Sequence, residues 1–273
     1  MAATVRPGHH HSIARLTTDT THRRTTLSWR PSHGMPVGQA TVSTQTATQS
    51  KIISMPGSLW LLGHRGSRAT KSIPENTFRS FDLALQHGCD GFEFDVRRTG
   101  DGRAVICHDP KISSITVANA NANQLRHLPL LEDVLQRYSG RAWLDIELKV
   151  SGLEADLLRI LSQHIPTKGY AVSSFQAEVI LEIKRHNTKI KAGIIFDQPL
   201  ELKNCLDLPV DYVVPHHSLV TQELVHEVRN ANKRILTWTV NDRDSMLRLA
   251  AWGVDGIISD DTKLLAQTFG KKV

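Results

Sequence analysis

The sequence predicts a (β/α)8 barrel. Eight short apolar runs recur from Leu59 onward, and the stretches between them space their apolar residues as helices do. The nearest competitor is a doubly wound open sheet. It is disfavoured because no glycine-rich phosphate loop follows the first run. The strand candidates are 59–63, 91–97, 142–148, 170–174, 191–196, 211–215, 234–240 and 255–259. A helix is expected over 75–87, with Phe78, Phe81 and Leu85 on one face. Leu153, Leu157, Leu161 and Ile165 mark the third helix. Val179, Ile180 and Ile183 mark the fourth, Leu224, Val225 and Val228 the sixth, and Met246, Leu247 and Ala250 the seventh. Gly88, Gly140 and Gly253 stand where helix C-terminal caps are expected. The run 104–107 follows an Asp101-Gly102 turn and breaks the alternation, so it reads as a short β-hairpin excursion after the second strand.

Residues 1–57 read as a separate, disordered, basic tail, and residues 58–273 as the barrel domain. The tail is frequent in Thr, Ser, His and Arg and has no hydrophobic periodicity, so it cannot bury enough apolar area to offset its ordering entropy. A mis-assigned start, with the true one near Met35 or Met55, accounts for it equally. An organellar transit peptide is a minor alternative, because no amphipathic face supports it. The run His9-His10-His11 belongs to this solvated tail. The formal charge of +6 is also concentrated there: Arg6, Arg15, Arg23, Arg24 and Arg30 stand against the single acid Asp19. The remainder is close to neutral, so no nucleic-acid partner is indicated. No apolar run approaches the roughly 20 residues of a membrane span, so no integral membrane segment is expected. Cys89, Cys107 and Cys205 have no CxxC spacing and read as buried free thiols of a reducing compartment. The expected location is cytoplasmic. Nothing in the sequence speaks to oligomeric state.

The chemistry is concentrated at strand ends. Side chains alternate across a strand, so Phe92, Phe94 and Val96 face away from Glu93, Asp95 and Arg97. Leu144, Ile146 and Leu148 likewise oppose Asp145, Glu147 and Lys149. With the apolar faces outward on the helices, six ionisable groups enter the lumen. That is costly unless they pair, bind metal or reach solvent. A structural ion-pair network is the plain alternative. Glu93, Asp95 and Glu147 form a hard oxygen set suited to Mg2+ or Ca2+. Arg65 and Lys149 remain as cations for an anion such as phosphate. His64 and His108 each end a strand beside these groups. Two imidazoles allow one proton to be taken while another is given, as phosphodiester hydrolysis requires.

Set in order, His64-Arg65-Gly66, Pro74-Glu75-Asn76-Thr77, Glu93-Phe94-Asp95, the run Asp101 to Asp109 and Glu147-Leu148-Lys149 resemble the glycerophosphodiester phosphodiesterase family. Thr237 to Asn241 and Asp255 to Asp260 resemble that family's last two strands. The resemblance spans about residues 59–266. It implies a TIM barrel, a divalent metal, and hydrolysis of a small-molecule glycerophosphodiester to sn-glycerol 3-phosphate and an alcohol. It implies His64 and His108 as the acid–base pair, Glu93, Asp95 and Glu147 as metal ligands, and Arg65 and Lys149 as phosphate binders. Trp238 resembles an aromatic wall beside the glycerol, with barrel core as its plainer role. Glu75 supports the metal or Arg65, and Asn76 shapes the loop. One departure is the segment after His108-Asp109, which is short and polar here. It points to deacylated, water-soluble substrates. Lysophospholipase D-type activity and a catalytically silent phosphate-binding barrel are the alternatives.

Overall fold

A computed structural model of the protein describes residues 59–199 and 202–271. The tail and alternative starts expected over 1–57 lie outside the described residues. Eight parallel strands close into a barrel: β1 (Trp60–Gly63), β2 (Gly91–Arg98), β6 (Trp143–Leu148), β7 (Tyr170–Ser174), β8 (Ala192–Phe196), β9 (Tyr212–Pro215), β10 (Arg234–Thr237) and β11 (Gly256–Ser259). Each pairs with its neighbour in sequence, and β1 pairs with both β2 and β11 to complete the ring. The strand 234–240 is shorter than expected, ending at Thr237. β3 (Ala104–Ile106) runs antiparallel to the upper end of β2, with Val96 opposite Ile106 and Arg98 opposite Ala104. This is the expected hairpin. The segment after it holds a two-stranded ribbon, β4 (Lys111–Ile112) and β5 (Ile115–Thr116), anchored by Val117, Ala120 and Leu125 against Val105 and Cys107.

The helices are α1 (Phe78–Gln86), α2 (Leu131–Tyr138), α3 (Glu154–Gln163), α4 (Ala177–His186), α5 (Leu202–Asp207), α6 (Gln222–Asn230), α7 (Arg243–Trp252) and α8 (Thr262–Thr268). α1 begins later than expected because Asn76 takes a left-handed φ of 57°, which no helix accommodates. Thr77 then caps it, in a reciprocal box with Ser80. α3 stops at Gln163, and Ile165 is 59% exposed rather than on the buried face. Pro166 explains this, since the residue before a proline is disfavoured in helical conformation. On α7 the buried apolar face is Met246, Leu249 and Ala250. Leu247, one step of about 100° round from Met246, is 43% exposed. Gly88 and Gly253 take left-handed φ values of 92° and 91° at their helix ends, whereas Gly140 has no left-handed backbone.

The alternation in β2 and β6 is the one expected. Phe92, Phe94, Val96, Leu144, Ile146 and Leu148 pack outward on Phe81, Leu131, Leu135 and Leu157. The ring of Phe81 stacks on that of Phe92 at 4.2 Å. The lower lumen is filled by Leu62, Trp143, Ile195, Tyr212, Val214 and Ile258, with Trp60 stacked on Trp143 at 5.0 Å. Apolar packing therefore seals the N-terminal end, and the acidic residues occupy the layers above it. Cys89, Cys107 and Cys205 are buried and not disulfide-bonded. Among the described residues no helix is long and apolar enough to cross a membrane.

Candidate active site

The loop after β1 is bent sharply to present its two chemical side chains. Arg65 has a φ of 54° and Gly66 a φ of 82°. A Cβ on Gly66 would lie 2.5 Å from the Ser80 backbone, so only glycine fits where this loop meets α1. The imidazole of His64 shares a 2.7 Å hydrogen bond between Nδ1 and Asp260 Oδ1, leaving Nε2 3.9 Å from Glu93 Oε2. Asp260 follows β11 and is held in turn by Asn241 Nδ2 at 2.9 Å and Arg68 Nη1 at 3.3 Å. Burial pushes the Asp260 carboxyl up, but His64, Asn241 and Arg68 outweigh it and hold it well below the usual carboxylate range.

Glu93 and Asp95 rise from β2 and Glu147 from the adjoining β6. All three are buried, with ligand oxygens within 4.8 Å of one another. Glu93 accepts from the Arg65 backbone N–H at 2.9 Å. Asp95 accepts from Asn76 Nδ2 at 2.8 Å, so Asn76 does more than shape its loop. Arg65 Nε lies 3.2 Å from Asp95, and Arg65 Nη1 donates to Glu75 at 2.7 Å. Glu75 therefore supports Arg65, and through its second oxygen Arg68 at 2.5 Å. Lys149 Nζ donates to Glu147 at 2.5 Å and lies 3.3 Å from Asp95.

Burial raises the Glu93 carboxyl well above its ordinary value, reinforced by Asp95 and Glu147. Burial and Asp95 likewise push Glu147 up to about 7. Asp95 is buried too, but Lys149, Arg65 and Asn76 keep its carboxyl low. Among the described residues Glu93 Oε1 has no hydrogen-bond partner, and Asp95 Oδ1 has only the 3.3 Å ion pair with Lys149. Three converging hard carboxylates, one with a buried oxygen left unpartnered, are what a divalent cation requires, so the residues present fit such an ion.

His108 stands on the loop after β3 rather than on a barrel strand. Its Nδ1 meets Asp109 at 2.7 Å, and Arg97 Nε donates to its carbonyl at 2.6 Å. His64, Arg65, Glu93, His108, Glu147, Lys149 and Trp238 line one cavity of about 130 Å³ at the C-terminal mouth of the barrel. Trp238 both forms its wall and packs on the lumen core, with its Nε1 donating to Val214 at 3.0 Å. A larger cavity of about 890 Å³ lies at the opposite end, among Trp60, Arg141, Trp143 and Phe269, and no candidate residue lines it. Function at the C-terminal mouth is the rule for this fold.

The structure brings seven of the ten candidates onto this cavity, and the other three meet them: Asp95 and Glu75 contact Arg65, and Asn76 contacts Asp95. Sequence reasoning missed Asp260, Asn241 and Arg68. The available signal for Asp260 was an acid at the C-terminal end of the eighth strand, the position from which barrel side chains reach the mouth.

The family model described as "Glycerophosphoryl diester phosphodiesterase family" matches residues 64–133 and 123–264. A glycerophosphodiester phosphodiesterase of Caldanaerobacter subterraneus is 26% identical over 235 residues, 75% of this chain and 95% of the relative. Another, from Arabidopsis thaliana, is 28% identical, over 73% of this chain and 70% of the relative. Among solved structures, a phosphodiesterase of Oleispira antarctica in complex with the product sn-glycerol-3-phosphate superposes with a TM-score of 0.68. It is 25% identical and covers 79% of this chain and 97% of its own. A glycerophosphodiester phosphodiesterase of Agrobacterium tumefaciens superposes at 0.69 with 22% identity, over 78% and 99% of the two chains.

Proposed function

The chain belongs to the glycerophosphoryl diester phosphodiesterase family, and from that premise we propose that it hydrolyses glycerophosphodiesters to sn-glycerol 3-phosphate and an alcohol. The observation that carries this reading is the convergence of two imidazoles, two cations and the clustered carboxylates Glu93 and Glu147 on one cavity, with Asp95 beside them. Glu93, Asp95 and Glu147 would hold Mg2+ or Ca2+, which when bound offsets charge building on the phosphoryl oxygens. Arg65, with Nη1 held by Glu75 and Nε beside Asp95, binds phosphate through its remaining guanidinium N–H groups. Lys149 adds a point charge from β6. Asp260 fixes the Nδ1 of His64, so that Nε2 faces the reacting centre, and Asp109 orients His108 in the same way. One imidazole takes the proton of the attacking water and the other delivers a proton to the leaving alkoxide.

The short polar segment after His108 supports deacylated substrates such as glycerophosphocholine. A second reading, toward lyso-lipids, rests on one feature that sequence did not foresee. Phe175 is 44% exposed, makes an edge contact with Trp238 at 5.5 Å, and backs onto a cavity of about 180 Å³ that Ile194, Phe196 and Leu208 line. The deciding experiment is a panel of glycerophosphodiesters and lysophosphatidylcholine, read by release of sn-glycerol 3-phosphate or its acylated form, with and without EDTA. Turnover of the deacylated diesters that EDTA stops and Mg2+ or Ca2+ restores is expected. Turnover that survives exhaustive chelation removes the metal, and turnover of none of them removes the activity.

A further inference from the structure

The acids of β6 occupy two layers of the lumen. Glu147 joins the three-carboxylate cluster, and Asp145 does not. Two residues earlier on the strand, Asp145 lies about 7 Å deeper, at roughly 3.3 Å of rise per residue. It is fully buried and in register with Glu93 on β2. Its Oδ1 accepts from Ser173 Oγ at 2.6 Å, while its Oδ2 has no hydrogen-bond partner among the described residues. Asp145 lines the catalytic cavity all the same, where Ile195, Val214 and Ile258 supply the rest of the floor. A carboxyl oxygen left unmatched among aliphatic side chains is costly unless a ligand meets it.

Resting on the phosphodiesterase reading, the geometry points to Asp145 as the residue that recognises the glycerol hydroxyls of the substrate. A phosphate clasped by Arg65 and Lys149 leaves a three-carbon polyol to enter the lumen, and its hydroxyls cannot be buried against aliphatic side chains without partners. The polar groups around it have partners: Glu93 Oε2 accepts from the Arg65 backbone, and in the layer of Glu147 Asp95 Oδ2 accepts from Asn76 and Ser173 donates to Asp145 itself. With Glu93 Oε1 left to the ion that its cluster would hold, Asp145 Oδ2 is the unpartnered acceptor, among the described residues, that faces the aliphatic floor one layer below Glu147. Asp145 thereby distinguishes a hydroxylated diester from an alkyl one, while phosphate binding and proton transfer stay with the residues above it.

The test is a cycle between side chain and substrate. Wild type and Asp145→Ala are compared on glycerophosphocholine and on propyl phosphocholine, which has the same three carbons and no hydroxyls. The variant is expected to lose about tenfold or more in kcat/KM on glycerophosphocholine and to change less than about threefold on the propyl ester. Binding of sn-glycerol 3-phosphate, measured by calorimetry, should weaken by a similar factor, with binding of inorganic phosphate and of Mg2+ unchanged. Equal losses on both esters, or weakened Mg2+ binding, would overturn the assignment in favour of support for the metal. No loss on either would overturn it in favour of a purely structural acid. If Asp145→Ala does not fold, Asp145→Val gives the same comparison with the volume restored. A wild type inactive on both esters sinks the phosphodiesterase reading instead, and the calorimetric arm still decides the role of Asp145.

Discussion

The two imidazoles carry similar hydrogen bonds in different surroundings. His64 meets an Asp260 that is itself pinned by Asn241 and Arg68, whereas His108 meets an exposed Asp109. His64→Ala and His108→Ala are each expected to lower kcat by about two to four orders of magnitude, the usual worth of a positioned acid or base. A diester with a p-nitrophenolate leaving group needs no proton on departure, so it should partly rescue whichever variant lost the acid. Equal losses on good and poor leaving groups in both variants would argue against divided roles. Asp260→Asn keeps the shape and removes the charge that holds the His64 tautomer. We expect kcat to fall by at least about tenfold with KM little changed, and the pH–rate profile to shift. An unchanged profile would reduce Asp260 to packing. Single residues were legible where their type alone was informative, as with carboxylates alternating along β2. The pairing of His64 with Asp260 was not, because 196 residues separate them and no local pattern records a contact made by ring closure.

At the scale of elements, the strands were read nearly to the residue because alternation and turn chemistry agree there, while helix ends depended on single backbone positions. Asn76 and Pro166 each moved a boundary by imposing a conformation that hydrophobic spacing does not encode. The hairpin is the element with most to say about catalysis. It carries His108 outside the barrel wall, and Arg97 ties that loop back to β2 through the His108 carbonyl. Arg97→Ala removes a hydrogen bond from a charged donor, worth about 1.5–3 kcal/mol. Its expected effect is a loss of roughly tenfold in kcat that shares the leaving-group pattern of His108→Ala, with the melting temperature falling by only about 3–12 °C and the barrel still folded at the assay temperature. A melting temperature that falls while kcat holds would mean that the hairpin serves stability alone.

For the whole molecule, the lumen acids set an unusual pH dependence. Glu93, Asp145 and Glu147 are all raised, the last two to about 7, with burial as the first cause. A carboxyl whose folded pKa exceeds its unfolded value of about 4 favours the fold when protonated. That stability is full below about pH 4 and is lost as pH rises toward 7. Asp95, Asp260 and Glu75 are depressed, and their contribution is lost as pH falls below about 4. Metal-free protein should therefore melt at lower temperature at pH 8 than at pH 5. Saturating Mg2+, which binds the ionised acids, should flatten that difference. Identical slopes with and without Mg2+, followed by calorimetry, would show that the acids do not share an ion. The barrel was legible as a whole because eight strand-like runs alternate with helical ones, whereas the sealing of its base by Trp60 on Trp143 was not, since rings stacked across the lumen leave no periodic trace. The ring also closes through its first strand, which lies between β2 and β11. A polypeptide emerging from the ribosome has made Glu93, Asp95 and Glu147, with Arg65 and Lys149, long before Asp260 exists. Until then β1 lacks one neighbour and His64 lacks the carboxylate that aims it. A message that stops short of codon 260 encodes the acids and the imidazoles of this site but not the carboxylate that holds His64 Nδ1.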